Sequence, residues 1–112
     1  MAKITTHVLD TARGTPASGV AIALEAVDGA ATRPVARGVT DDDGRLRTLT
    51  EPDGVPAGTY RLTFETAPYF ERHGTECFFP VAHITFVVRD AGAHFHVPLL
   101  LSPFSYSTYR GS

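Results

Sequence analysis

Apolar residues recur at every second position in four short segments of the chain, and this spacing restricts the fold more than any other feature. The alternation covers positions 20–26, 60–64, 84–88 and 95–99. A period of two is typical of β-strands that bury one face and expose the other. The 10 glycines and 8 prolines fall at short intervals between the segments, as turn residues do. We therefore predict an all-β protein with the architecture of an antiparallel β-sandwich.

The same pattern places the individual elements. Strands are expected near residues 4–10, 20–27, 34–40, 45–50, 59–66, 83–89, 93–101 and 104–109. One short helix is expected near residues 68–73, with Pro68 in its first turn and Gly74 at its end. The chain contains no linker, internal repeat or low-complexity segment, so residues 1–112 are expected to form a single domain.

Composition excludes several classes of protein. A formal net charge of −2 leaves no basic surface large enough to suggest a nucleic-acid partner. No apolar run approaches the roughly 18 residues that a membrane span needs, so no membrane partner is expected. The single cysteine, Cys77, excludes an internal disulfide framework and fits a reducing compartment. Because residues 1–4 do not begin a signal-peptide pattern, we expect a cytoplasmic protein.

Strand alternation also assigns faces to the histidines. Where Phe95 and Val97 form the apolar face of a strand, His94 and His96 point to the opposite face. Histidine titrates near pH ~6.5, so such residues can act as a general base or acid, or bind a metal. The alternative is that each one is an ordinary surface or hydrogen-bonded histidine. A zinc site built from these two and His7 is not expected, because no carboxylate or cysteine has a suitable spacing to complete it.

The acidic run at Asp41-Asp42-Asp43-Gly44 precedes an arginine, Arg45, that begins a predicted strand. A calcium loop would need further ligands that this segment lacks. A tight turn is the better interpretation, with Asp43 capping it and Gly44 at positive φ. The guanidinium of Arg45 is then either solvated or directed at a carbonyl oxygen or an anion.

The last four residues, Tyr109–Ser112, supply a phenol, a guanidinium, a glycine and a hydroxyl. They closely follow the apolar run 97–101, which must be buried. A polar tip held close to a core strand can help to build a site, whereas an untethered tail cannot. The stretch Leu99–Tyr109, which leads from the run into the tip and contains aromatic and hydroxyl side chains, lacks the composition of a flexible linker.

Five motifs of the chain are recognisable together. They are Thr5–Asp10 (TTHVLD), Gly14–Ala17 (GTPA), Asp43–Arg45 (DGR), His94–Pro103 (HFHVPLLLSP) and Tyr109–Ser112 (YRGS). In order and spacing they resemble the 5-hydroxyisourate hydrolases, the enzymatic branch of the transthyretin-related proteins. The resemblance covers essentially the whole chain. The ending is its most specific part, because the hormone-carrier branch lacks it.

This resemblance implies a fold, an assembly and a reaction. The fold is a transthyretin-like sandwich of two four-stranded sheets with one short helix. The assembly is a homotetramer, a dimer of dimers, with active sites in clefts at the dimer–dimer interface. The substrate is 5-hydroxyisourate, the unstable product of urate oxidation, and the product is 2-oxo-4-hydroxy-4-carboxy-5-ureidoimidazoline. No cofactor and no metal are implied.

The resemblance also implies the residues of the site. The catalytic set is His7, Arg45, His96 and Ser112. The substrate-binding set is Tyr109, Arg110 and Gly111 together with His7, Arg45 and His96. The placement of His96 agrees with the strand alternation, and His94 shares its face but is a weaker candidate.

Hydrolysis of a cyclic amide needs a base for the attacking water, a donor for the developing oxyanion and a proton for the departing nitrogen. We expect His7 or His96 to take the proton from water, and the sequence leaves open which of them does so. Arg45 would polarise the carbonyl or bind a substrate oxygen. The tail residues Tyr109, Arg110 and Ser112 would hold the edge of the planar ring.

Two alternatives remain at the level of sequence. One is a transthyretin-like carrier that binds aromatic small molecules without catalysis, against which the polar histidine and arginine residues argue. The other is a structural or adhesion module, since residues 40–62 resemble a generic prealbumin-like sandwich repeat that argues for fold alone.

Overall fold

The structure is a computed structural model, and it describes residues 1–112. It contains nine strands and one helix. In chain order these are β1 (Lys3–Asp10), β2 (Thr15–Pro16), β3 (Ala21–Asp28), β4 (Ala31–Val39), β5 (Arg45–Leu46), β6 (Gly58–Glu65), α1 (Thr66–Arg72), β7 (Val81–Val88), β8 (His94–Ser102) and β9 (Ser105–Thr108).

The strands form two sheets, which confirms the predicted β-sandwich with one short helix. One sheet has the order β2-β1-β8-β9, with β5 also paired to β1, and the other has the order β4-β3-β6-β7. The first sheet therefore has five strands rather than four, because two strands of only two residues are added to β1. The pairing of β1 with β8 is parallel, whereas every other strand pairing is antiparallel.

The strand predicted over 45–50 is the largest error in the sequence-based assignment, because it ends at Leu46. The residues that follow are still buried: Leu49 and Thr50 are each 5% exposed. The Thr50 hydroxyl accepts a hydrogen bond from the Ile4 backbone N–H at 3.2 Å. The segment therefore packs on β1 through side chains instead of a strand ladder, which a hydrophobic pattern does not distinguish.

The core lies between the sheets and consists of the alternating residues that the sequence pattern selects. Its largest fully buried apolar members are Phe64, Ile4, Leu24, Leu62, Leu99, Leu101, Val8, Val20 and Val88. In β8 the burial alternates as expected, with Phe95, Val97 and Leu99 buried while His94 is exposed and His96 is half-buried. The face of the first sheet that points away from this core, which we call its outer face, carries the polar residues.

The helix begins two residues earlier than predicted, and Pro68 lies in its first turn. Gly74 ends the segment at a φ of 65°. Tyr69 fixes α1 to the first sheet, because its hydroxyl donates to the buried Asp10 carboxylate at 2.7 Å. Burial, followed by the hydrogen bond and charge of Asp10, raises the pKa of Tyr69 to about 12. No helix of the structure is long and apolar enough to cross a membrane.

Candidate active site

The strand register brings three of the four expected catalytic residues to the outer face of the first sheet. Thr5 of β1 lies opposite His96 of β8, and two residues further along β1 lies His7. On the other side of β1, His7 lies opposite Arg45 of β5. Successive side chains of a strand point to opposite faces of the sheet, and residues paired across neighbouring strands point to the same face. Thr5, His7, Arg45 and His96 therefore project to one side. Residues far apart in sequence therefore meet because β1 pairs with both β5 and β8.

A polar groove runs over this face, and we call it the histidine groove. Its lining residues are Lys3, Thr5, Thr6, Arg45, Arg47, His94, His96 and Ser112. The lining includes no apolar and no acidic side chain. Three permanent cations and two histidines thus share one surface, and this surface suits an anionic or oxygen-rich planar ligand.

The position of Arg45 is fixed by the turn that precedes it. Asp41, rather than the predicted Asp43, caps this turn, because its Oδ1 accepts from the backbone N–H groups of Asp43 and Arg45, each at 2.9 Å. The Arg45 bond is the largest cause of the lowered pKa of Asp41. Gly44 has a φ of 75°, as predicted, and a Cβ there would lie 2.4 Å from the Val8 carbonyl oxygen. The close approach to β1 therefore requires glycine.

His7 lies beside the groove rather than in its lining. Its Nε2 is 2.8 Å from the backbone oxygen of Asp43. A carbonyl oxygen only accepts hydrogen bonds, so the Nε2 of His7 must carry the proton and donate it. This bond holds the imidazole against the turn that carries Arg45, and it leaves the Nδ1 atom as the ring position available to another group.

His96 is the histidine whose electrostatics are most altered. Partial burial is the main reason why its pKa lies below the usual value, and the nearby charges of Arg45, His7 and His94 lower it further. Desolvation and positive neighbours both disfavour the imidazolium form. His96 is therefore held neutral, which is the form that can accept a proton at physiological pH.

The tail is tethered to the site by Gly111. Its backbone N–H donates to the His96 carbonyl oxygen at 2.8 Å, and the two residues form a β-bridge. A Cβ on Gly111 would lie only 2.7 Å from Cδ2 of His96. Only glycine permits this contact, and it places Ser112 in the histidine groove. The tail is thus part of the sheet surface and not an untethered end.

Tyr109 and Arg110 face a different groove of the same chain. This second groove lies between the sheets at their β7 and β9 edges, and its lining includes Phe95 and Phe86. The guanidinium carbon of Arg110 lies 4.6 Å from the centroid of the Phe95 ring, which is a cation–π geometry. Within one protomer the structure therefore separates Tyr109 and Arg110 from Arg45 and His96.

Sequence reasoning did not select Thr5, Lys3 and Arg47 as site residues, although all three line the groove. The Thr5 hydroxyl oxygen is 2.8 Å from His94 Nε2 and 2.8 Å from His96 Nδ1. Strand alternation puts Thr5 on the same face as His7. Its contact with two histidines of β8 depends on the parallel register, for which one sequence carries no signal. No three His, Cys, Asp or Glu side chains come close enough together to hold a metal ion.

Comparisons with known proteins agree with this geometry. The model of the HIUase/Transthyretin family matches residues 4–111. The chain belongs to this family. Among curated members, the 5-hydroxyisourate hydrolase of Deinococcus radiodurans is 48% identical over 113 residues, covering 97% of this chain and 95% of the relative.

Solved structures of the HIUase/Transthyretin family place both of its branches close to this chain. The 5-hydroxyisourate hydrolase of Klebsiella pneumoniae is 43% identical with a TM-score of 0.88, covering 100% of both chains. Sea bream transthyretin in complex with thyroxine is 34% identical with a TM-score of 0.89, covering 96% of this chain and 93% of that one. The backbone is therefore common to hydrolases and carriers, and the side chains must distinguish them.

Proposed function

We propose that this protein hydrolyses 5-hydroxyisourate to 2-oxo-4-hydroxy-4-carboxy-5-ureidoimidazoline in urate degradation, a part of purine metabolism. The observation that carries the proposal is the histidine groove, in which Arg45, His96 and Ser112 share one outer face without any apolar side chain. The close similarity to curated hydrolases supports the same reaction. A carrier of apolar aromatic molecules would be expected to present an apolar lining instead.

In the proposed reaction His96 is the general base. Because burial and positive neighbours keep its ring neutral, it can remove a proton from water as the water oxygen attacks the cyclic amide carbon. His7 carries its proton on Nε2, where it donates to the Asp43 carbonyl, so its Nδ1 lone pair can accept a hydrogen bond from the water or the substrate. We assign His7 to orienting the substrate or the water through its Nδ1 atom.

Arg45 supplies the electrostatic part of catalysis. The attack forms a C–O bond and shifts the carbonyl electrons to oxygen, and a guanidinium in the groove stabilises that oxyanion. The C–N bond then breaks, the departing nitrogen takes up a proton, and the product gains a carboxylate. Lys3 and Arg47 line the same groove, so the negative charge that develops meets cations throughout the reaction.

The tail completes the proposed site. Ser112 lies in the groove, where its hydroxyl can hydrogen-bond the substrate ring, and Gly111 fixes its position against His96. We assign Tyr109 and Arg110 to binding the ring edge. Because these two residues face the second groove of their own chain, this assignment requires an assembly that brings the two kinds of groove together.

We accordingly propose a homotetramer, a dimer of dimers whose interface encloses the histidine grooves. The edge strands β7 and β9 each have one unpaired side, and near them Val87 is 46% and Tyr109 56% exposed. Light scattering checks this proposal, and a monomer at assay concentration would contradict it. We further propose a cytoplasmic location, which fits the free thiol of Cys77.

The activity is tested by following the decay of the intermediate that urate oxidase makes from urate, with and without this protein. The spontaneous decay is subtracted. We expect clear acceleration by the native protein and a loss on the order of 10²- to 10⁴-fold in His96→Ala, as for removal of a general base. His83→Ala is the matched control, because His83 is an exposed histidine on β7 of the other sheet. No acceleration by the native protein would favour the carrier.

A further inference from the structure

One buried hydroxyl joins the proposed base to an exposed histidine. Thr5 is only 4% exposed. Its Oγ1 is 2.8 Å from both His94 Nε2 and His96 Nδ1. The parallel register places Thr5 opposite His96, with His94 two residues earlier on the same face of β8. His94 itself is exposed. The three side chains therefore form a continuous hydrogen-bonded path from the half-buried ring of His96 to the exposed ring of His94.

The chemistry of a hydroxyl restricts this path to two states. A threonine hydroxyl has one proton to donate, so it donates to one histidine and accepts from the other. In the first state His96 donates from Nδ1 and Thr5 donates to His94, which leaves a lone pair on Nε2 of His96. In the second state both bonds are reversed, and the proton of neutral His96 is on Nε2. Only the first state leaves His96 able to act as a base at Nε2.

We propose that Thr5 is a proton relay between His96 and His94. When Nε2 of His96 takes a proton from water, its Nδ1 releases a proton to Thr5 Oγ1, and the hydroxyl passes its own proton to His94 Nε2. One proton enters the path and one arrives at its end. His96 finishes neutral, Thr5 remains a hydroxyl and His94 becomes an imidazolium. His94 then releases its proton to solvent, or the path runs backwards and returns a proton to the departing nitrogen.

The surroundings of the two histidines explain why charge should move outward. Arg45 on β5 and His7 on β1 act on His96 through their charge, and Arg47, which follows β5, lines the same groove. Lys3 lies opposite His94 instead, and it pairs with the Glu51 carboxylate at 3.8 Å. A proton that stays on His96 is thus held in a partly desolvated, positively charged place. On His94 the same charge is exposed to water.

This relay rests on the proposed hydrolase activity, but its first test does not use activity. Nitrogen NMR of the histidine rings reports which nitrogen carries the proton. We expect neutral His96 to carry its proton on Nδ1, and Thr5→Val to change that tautomer or mix it. A native His96 protonated on Nε2 would overturn the proposal even in a fully active enzyme, whereas an inactive native enzyme would overturn the proposed function instead.

The second test is kinetic and uses a matched pair of sites. Thr5→Val should lower kcat on the order of 10²-fold, the lower range for acid–base catalysis, with little change in KM, and Thr5→Ser should restore most of it. Thr63→Val is the control, because Thr63 Oγ1 contacts His83 Nδ1 at 3.0 Å on the other sheet. Native kcat and pH profile in a folded Thr5→Val would contradict the relay, as would an equal loss in Thr5→Ser.

The third test examines the outer end of the path. His94→Ala should turn over more slowly, and added imidazole should restore part of the rate by accepting the proton in place of the lost ring. The His83→Ala control should not respond to imidazole. If His94→Ala kept the native rate in weak buffer, Thr5 would only orient His96 and the relay would be wrong.

Discussion

The outer faces of the two sheets share one architecture and differ in how their charges are balanced. On the second sheet, Arg61 of β6 donates to the Glu25 carboxylate of β3 at 3.2 Å, and Thr63 contacts His83 beside them. On the first sheet, cations and histidines line a groove without an acidic side chain. Both faces carry a threonine–histidine contact, but only the first also concentrates positive charge around it.

This difference indicates where the fold performs chemistry. A paired charge on a sheet surface contributes little beyond solubility and modest stability. In the histidine groove Lys3 pairs with Glu51 at 3.8 Å, whereas Arg45 and Arg47 have no salt bridge. The charge of Arg45 lowers the pKa of His96, after the larger effect of burial, and an unpaired guanidinium can bind an oxyanion. The second sheet thus carries a paired charge on its outer face, whereas the first sheet, which alone contains a parallel strand pair, carries the electrostatic site.

Within this comparison of the two faces, the largest expected effect comes from a matched pair of arginines. Arg45→Ala should lower kcat on the order of 10²- to 10³-fold, because it removes the proposed oxyanion donor. Arg61→Ala should leave kcat within a few-fold of the native value and change stability only slightly, because it removes a partly exposed ion pair. Corrected initial rates and thermal unfolding measure both. Similar losses of kcat in the two variants would remove the distinction between the faces.

Much of this contrast could be predicted from the sequence, and the parts that could not be predicted depend on long-range pairing. The alternation of side chains along a strand is a local property, so the sequence alone predicts that His94 and His96 face the side opposite to Phe95 and Val97. The ending Tyr109–Ser112 indicates the family. That β1 pairs in parallel with β8 is a long-range choice, so the contact of Thr5 with two histidines could not be predicted. The direction of Arg110 toward Phe95 depends on where the tail crosses β8, which one sequence does not specify either.

The Asp41 turn illustrates the same limit on a smaller scale. The sequence predicts a turn with Gly44 at positive φ, and this is confirmed. Which of three adjacent aspartates caps it depends on where the backbone N–H of Arg45 points. That direction is set by the pairing of Arg45 with His7 and not by the run of acidic residues itself.

A smaller effect is expected from the tether of the tail. Gly111→Ala would put a methyl group 2.7 Å from His96 Cδ2, so the tail or the imidazole must move. A displacement of about 1 Å near reacting groups can cost up to about 10²-fold in rate, and we expect a loss of roughly that size or less with the fold retained. Gly92→Ala, in the turn before β8, is the control. A native rate in Gly111→Ala would show that catalysis does not depend on this close contact between the tail and His96.

The smallest expected effect concerns the pKa of His96. It compares the influence of an arginine on the first sheet with that of an arginine on the second. Arg45→Gln should raise this pKa toward ~6.5 without reaching it, because burial is the larger cause of the lowering. Arg61→Gln on the other sheet should leave it unchanged. Titration of the His96 ring by NMR measures both variants. An equal shift of the pKa in the two would mean that Arg45 has no special influence on His96.

The same lowered pKa fixes how stability depends on pH. As pH falls below about 6.5, the unfolded chain protonates this histidine before the folded protein does, so folding loses stability until the lowered folded-state pKa is passed. Above that window His96 is neutral in both states and has no effect. The free energy of unfolding should therefore decrease as pH falls through this range, and less steeply in His96→Ala. A steeper decrease in that variant would mean that the folded state favours the charged ring, and His96 could not then be the neutral base.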